Sequence, residues 1–89
     1  MMTNEMPKVG PGQWVHVGPI HLGRLAVVCN VHDSHIEVVY LDDKNKAINE
    51  DVIWRDQKWT FQHDGPCGGY ADGNSRLAQY VSMLRRGNR

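Results

Sequence analysis

The stretch that decides the fold is RLAVVCNVHDSHIEVVYL, residues 24–41. Two apolar, β-branched runs flank the four-residue break HDSH, in which Asp and Ser can hydrogen-bond to their own backbone. The pattern predicts a β-hairpin with strands over residues 24–31 and 36–41. We expect the wholly apolar face of the first strand to point into the core; it consists of Leu25, Val27, Cys29 and Val31.

The opposite face of the first strand is only half polar, so a helix or a second subunit is expected to cover part of it. Its residues are Arg24, Ala26, Val28 and Asn30. In the second strand Ile36, Val38 and Tyr40 share one face, and DDKN at residues 42–45 is a strong turn signal.

Further strands are predicted on both sides of the hairpin. QWVHV at residues 13–17 precedes it, and AINEDVIWR at residues 47–55 follows it with a less regular pattern. KWTFQ at residues 58–62 alternates cleanly, which places Trp59 and Phe61 inward.

The hydrophobic period changes near the C-terminus. Apolar residues at i, i+3, i+4 and i+7 predict a helix over about residues 75–86, capped by Asn74 or Ser75 and closed by Gly87. Residues 1–12 are polar and rich in Gly and Pro, which predicts a flexible arm before a single domain over residues 13–89. Short strands without βαβ spacing indicate a mainly β (α+β) fold, a small five-stranded antiparallel barrel with one C-terminal α-helix.

The stretch GQWVHVGPIHLGRLAVVCNVHDSHIEVVYL, residues 12–41, resembles an SH3-like barrel of the KOW or translation-protein type. Such barrels open with a strand, a glycine-containing loop, a second strand and a hairpin. The matching positions are Val15, Val17, Gly18, Gly23, Val27 and the strand 36–41. The resemblance implies an SH3-like barrel, and the remainder of the chain resembles orphan small proteins of mobile gene cassettes.

Composition narrows the classes of function. The formal net charge is zero, whereas proteins that coat nucleic acids or membranes are usually more basic. A neutral domain this small often gains stability by association, so we expect a homodimer or a higher homo-oligomer. The absence of an apolar run of ~20 residues and of a signal core favours a cytoplasmic protein that does not bind membranes.

The glycine-rich stretch HDGPCGGYADG, residues 63–73, predicts a long loop that is either functional or mobile. His63 and Cys67 are spaced as a base and a nucleophile beside backbone donors, or as half of a metal site. The alternative is a flexible connector between the last strand and the helix. We expect no cofactor and no bound metal, although His16, His21, His32 and His35 with Asp33 and His63 offer transition-metal ligands.

Aromatic and basic residues are the other candidates. We expect Trp54 and Trp59 to be mainly buried, and Trp14, Tyr40 and Tyr70 to form a binding rim. The segment from Arg76 to Arg89 is basic, so Arg76 and Arg85 are candidates for contacts with phosphate or with acids of a second subunit.

These features predict a non-enzymatic binding module that self-associates and binds a protein or nucleic-acid partner through its aromatic rim. The alternative is a small oligomeric enzyme or ligand-binding protein, with a pocket at the subunit interface lined by residues 63–70.

Overall fold

A computed structural model describes residues 6–18, 24–61 and 69–87 of the chain. It contains the strands β1 (Trp14–Val17), β2 (Arg24–Val31), β3 (Ile36–Leu41), β4 (Ala47–Arg55), β5 (Lys58–Phe61) and β6 (Gly69–Tyr70), followed by the helix α1 (Ala78–Arg86). Among the described residues, no helix has both the length and the apolar character that a membrane crossing requires.

Strands β1 to β5 close into a barrel, which confirms the predicted fold class of a small five-stranded, SH3-like barrel with a C-terminal helix. Neighbouring strands pair antiparallel except β1 and β5, which meet in parallel at Val17 and Trp59. The backbone N–H of Gly18 donates to the Trp59 carbonyl at 2.7 Å and reinforces this closure. The short strand β6 also pairs antiparallel with β4, at Ile48 and Asn49. It lies within residues 63–73, the stretch predicted to form a loop.

The barrel interior is filled by large side chains from all five strands. Ile36, Val38 and Tyr40 share the inner face of β3 as predicted, and Trp59 and Phe61 point inward from β5. The cluster comprises Val15, Val17, Ala26, Val28, Ile36, Val38, Tyr40, Ile48, Val52 and Trp59.

The predicted core face of β2 is confirmed only in part: Val27 and Cys29 are buried in a hydrophobic cluster, but it is Ala26 and Val28, from the opposite face, that point into the barrel. Val27 and Cys29 lie on the outer face, where Leu77, the N-cap residue of α1, and Val81 and Leu84 of the helix cover them. The two ends of that face, Leu25 and Val31, are 46% and 37% exposed. The reason is that β2 is sandwiched between two apolar clusters, so both of its faces carry aliphatic residues and alternation alone cannot tell them apart.

A local side chain holds the turn after β3, whereas the start of helix α1 has no side-chain cap. The Asp42 side chain accepts hydrogen bonds from the backbone N–H groups of Lys44 and Lys46, each at 2.9 Å, and holds the predicted turn. Helix α1 starts at Ala78, later than predicted, and its first turn has no side-chain cap. Asn74 instead accepts a hydrogen bond from the N–H of Arg76, in the turn that precedes the helix.

Part of the stretch expected to be a loose arm contacts the barrel. Met6 and Val9 pack against the inner cluster, and the N–H of Gly12 donates to the carbonyl of Val28 at 2.8 Å. These contacts extend the pairing of β2 beyond β1.

Candidate functional site

A groove of about 330 Å³ opens on the outer face of the barrel, where the last turn of α1 ends. Neighbouring strands and the helix each contribute to it. Its lining residues are Trp14, Arg24, Leu25, Leu41, Leu84 and Gly87.

The groove continues the apolar surface on which α1 packs. Trp14 and Leu41 are half-buried against the same cluster as Leu84. Leu25 lies at the start of β2, directly across from His16 of β1, and is one of the large apolar residues that remain exposed. Because its side chain is 46% exposed among apolar neighbours, it can gain contacts from a bound apolar group.

Arg24 supplies the charge at the rim of the groove. Its guanidinium donates to the Leu41 carbonyl at 3.2 Å and pairs with Asp43 at 2.9 Å. The guanidinium carbon also lies 5.8 Å from the centre of the Tyr40 ring. Since the Asp43 side chain is 90% exposed, that ion pair is solvated and weak, and a carboxylate of a ligand can replace it.

The expected binding rim is only partly present. Tyr70 is exposed as predicted, with the Lys46 ammonium 5.4 Å from its ring centre. Trp14 is half-buried and lines the groove, and Trp54 is half-buried beside the buried Trp59. The rim role predicted for Tyr40 is wrong, because that side chain lies inside the barrel.

Tyr40 is held inside by a polar contact with a neighbouring strand. It is 2% exposed, and its hydroxyl donates to Oε1 of Glu50, itself 7% exposed, at 2.9 Å. Burial and the Glu50 carboxylate both raise the pKa of the Tyr40 hydroxyl. Tyr40 therefore acts in the interior of the barrel and not at its surface.

The two arginines proposed as partner contacts bind acids of this same chain. Arg76 pairs with Glu37 at 3.0 Å, and Arg85 donates to both carboxylate oxygens of Asp72, at 2.7 and 3.2 Å. The Arg85 hydrogen bonds, with a further one from the N–H of Ala47, lower the pKa of Asp72 to about 2. The Arg76 pair joins the turn before α1 to β3, and the Arg85 pair joins the end of α1 to the segment between β6 and the helix.

His63 and Cys67 lie outside the described residues, and so does His21. His32 and His35 stack at the tip of the hairpin, with ring centres 4.4 Å apart, and Nε2 of His35 lies 3.8 Å from a carboxylate oxygen of Asp51. Within residues 6–18, 24–61 and 69–87, no three His, Cys, Asp or Glu side chains are grouped so that they could hold a metal ion.

The buried thiol, Cys29, is poorly suited to nucleophilic chemistry. It is 7% exposed beneath α1 and donates to the Glu37 carbonyl at 3.4 Å. Burial, together with the nearby Glu37 carboxylate, raises its pKa to about 12, so the reactive thiolate is scarce at neutral pH.

A second cavity, of about 440 Å³, lies between α1 and the turns before it. Small and polar side chains dominate it, and the Asp72–Arg85 pair forms one wall. The remaining lining residues are Ala71, Gly73, Asn74, Ser75, Ala78, Val81 and Ser82.

Sequence reasoning missed most of the groove. The sequence predicts Leu25 to lie in the core, and it predicts Leu41 and Leu84 only as members of a strand and a helix. A signal existed in the apolar residues that β2 and β3 carry on the face opposite the barrel interior, because such a face has to be covered by another element or remain exposed. Comparison with protein families, curated proteins and solved structures finds no match.

Proposed function

We propose that this protein is a small interaction module that binds an apolar segment of a protein partner in the groove beside α1. The observation that carries the proposal is the 46% exposure of Leu25 in a groove lined by other apolar side chains. Burying a leucine side chain completely contributes roughly 1.5–3 kcal/mol, so the exposed part of Leu25 is a substantial unused contact.

The size of the groove favours a segment over a whole globular partner. Its volume of about 330 Å³ is at the lower end of the range for small-ligand pockets. A stable interface between globular proteins buries about 800 Å² on each partner, far more than the groove offers by itself. A short segment with large aliphatic side chains fits the volume of the groove. A carboxylate next to those side chains could reach the Arg24 guanidinium and match its charge.

The pairing of the arginines argues against phosphate as the preferred ligand. Arg76 and Arg85, the two arginines outside the groove, lie 3.0 and 2.7 Å from carboxylate oxygens of this chain. Binding to a nucleic acid depends on cations that are free to replace counterions. These arginines would have to give up their present partners first.

The test is selection of binders from a displayed library of random peptides, followed by titration of the selected synthetic peptides. The variant Leu25→Asn removes the exposed apolar contact without changing the net charge. The matched control is Val31→Asn, because Val31 is 37% exposed on the same strand but lies outside the groove. We expect Leu25→Asn to weaken binding about tenfold, which corresponds to ~1.4 kcal/mol, and Val31→Asn to leave it unchanged.

Three outcomes would contradict the proposal. Selection could return no peptide that binds the folded wild-type protein. Leu25→Asn could bind the selected peptides as tightly as wild type does. A single-stranded oligonucleotide could bind more tightly than any peptide, with an affinity that falls steeply with added salt, which would assign the surface to nucleic acid.

A further inference from the structure

One wall of the groove belongs to the last turn of α1. Leu84 and Gly87 line the groove directly, and Leu84 also packs in the cluster between α1 and the sheet. The N–H of Gly87 donates to the carbonyls of Met83 and Leu84, at 3.1 and 3.2 Å. The groove therefore exists only while this end of the helix stays in place on the barrel.

A nine-residue helix does not hold its last turn in place by itself. Isolated helices of this length are unstable in water, and the terminal turn is the part that frays first. The described C-terminal end of α1 thus depends on contacts with the barrel.

Arg85 makes the polar contacts at this end of the helix. It binds both oxygens of Asp72, and its Nη2 also donates to the Asn45 carbonyl at 3.1 Å. Oδ2 of Asp72 accepts in addition from the N–H of Ala47 at 3.0 Å, at the start of β4. Two-pronged Arg–carboxylate pairs fix orientation as well as distance.

We infer that Arg85 and Asp72 are positioning residues for the binding groove. Their ion pair, with the hydrogen bonds from Arg85 to the Asn45 carbonyl and from the Ala47 N–H to Asp72, ties the last turn of α1 to the β3–β4 turn and the start of β4. These contacts hold Leu84 and Gly87 in place as a wall of the groove. The inference rests on the proposed function and adds residues that the groove itself does not include. It also assigns a role to Arg85 other than direct contact with a partner.

The test compares Arg85→Gln with Arg86→Gln. Both variants remove one positive charge from neighbouring exposed positions at the same helix end, and only the first removes the contact with Asp72. Hydrogen exchange of the Gly87 amide, followed by NMR, reports the position of the last turn without any ligand. Titration of a peptide selected on the wild-type protein reports the groove.

We expect Arg85→Gln to accelerate Gly87 exchange and to weaken peptide binding, each by about fivefold, the upper range for an exposed ion pair. Arg86→Gln should change either value by less than about twofold. Arg85→Lys should recover part of both effects, because an ammonium keeps the charge but loses the two-pronged geometry.

The two readouts separate the two ideas. Gly87 exchange and peptide affinity that are equal in Arg85→Gln and Arg86→Gln would overturn the inference and leave the proposed function intact. The opposite case is also distinguishable: Gly87 exchanges faster in Arg85→Gln, but the wild-type protein binds no peptide. That result would overturn the proposed function and with it the role of the pair in binding.

Discussion

Replacement of Tyr40 by Phe tests the polar contact at the centre of the barrel. The hydroxyl of Tyr40 lies 2.9 Å from Oε1 of Glu50, and these residues are 2% and 7% exposed. The ring itself would stay in place, tilted against Phe61 with the ring centres 5.6 Å apart. The substitution therefore removes one hydrogen bond from a buried carboxylate and hardly changes the packed volume.

The size of the effect follows from that geometry. A hydrogen bond to a charged group contributes about 1.5–3 kcal/mol, and the lost donor leaves part of the Glu50 carboxylate poorly solvated. We expect Tyr40→Phe to lower the free energy of unfolding by about 2 kcal/mol. In a domain of this size, that is a fall in Tm of roughly 8–16 °C.

Urea unfolding followed by tryptophan fluorescence and by circular dichroism measures this change. Tyr70→Phe is the matched control, because Tyr70 is 67% exposed and its hydroxyl is not in the interior. The coupling between Tyr40→Phe and Glu50→Gln, from a double-mutant cycle, isolates the contact itself. A loss below about 0.5 kcal/mol in Tyr40→Phe, equal to that of the control, would refute the assignment of this pair to the barrel interior.

Four other predictions follow from the fold. Leu77→Ala, at the fully buried N-cap position of α1, should lower the free energy of unfolding in urea by about 2–5 kcal/mol, whereas Leu25→Ala should lower it little because Leu25 is 46% exposed; equal losses would contradict the placement of the helix. The pKa of Asp72 is lowered from 3.8 to about 2, so its contribution to stability is complete above pH 4 and is lost as the pH falls toward 2. In Asp72→Asn, the free energy of unfolding should therefore depend less on pH over that interval than it does in the wild-type protein. In a Cys67→Ser background, Cys29, with its pKa near 12, should react with a disulfide reagent far more slowly in the native protein than in urea, and equal rates would show that the thiol is not covered. The zero net charge favours self-association, and sedimentation that shows only monomer at high concentration would reject it.

Much of the secondary structure could be predicted from the sequence. Strands β2 and β3 have the predicted limits, because β-branched runs favour extended backbone and the Asp-Ser turn between them ends both strands. The turn after β3 follows in the same way from the Asp42 side chain, which binds two backbone N–H groups nearby. These are short-range effects that a single sequence carries in full.

The candidate site was far less accessible from the sequence. From the sequence, Tyr40 both shares a face with Ile36 and Val38 and is a candidate for partner binding, and the strand pattern does not decide between the two roles. Its burial depends on Glu50, ten residues away along the chain, and on the inward direction shared by Ile36 and Val38. Likewise, the pairing of Arg85 with Asp72 requires the end of α1 to lie against the segment that precedes the helix, which no local pattern specifies.

By itself, the sequence determined the period of each element: alternation in the strands, a 3.6-residue repeat in α1, and the turns between them. Only the tertiary structure decided which face of β2 became the inside, with Ala26 and Val28 in the barrel and Val27 and Cys29 beneath the helix. The physical reason is that both faces are apolar, so hydrophobicity favours burial of either one. The choice is made by contacts between distant parts of the chain, namely the closure of β1 on β5 and the packing of α1, and those contacts leave Leu25 uncovered.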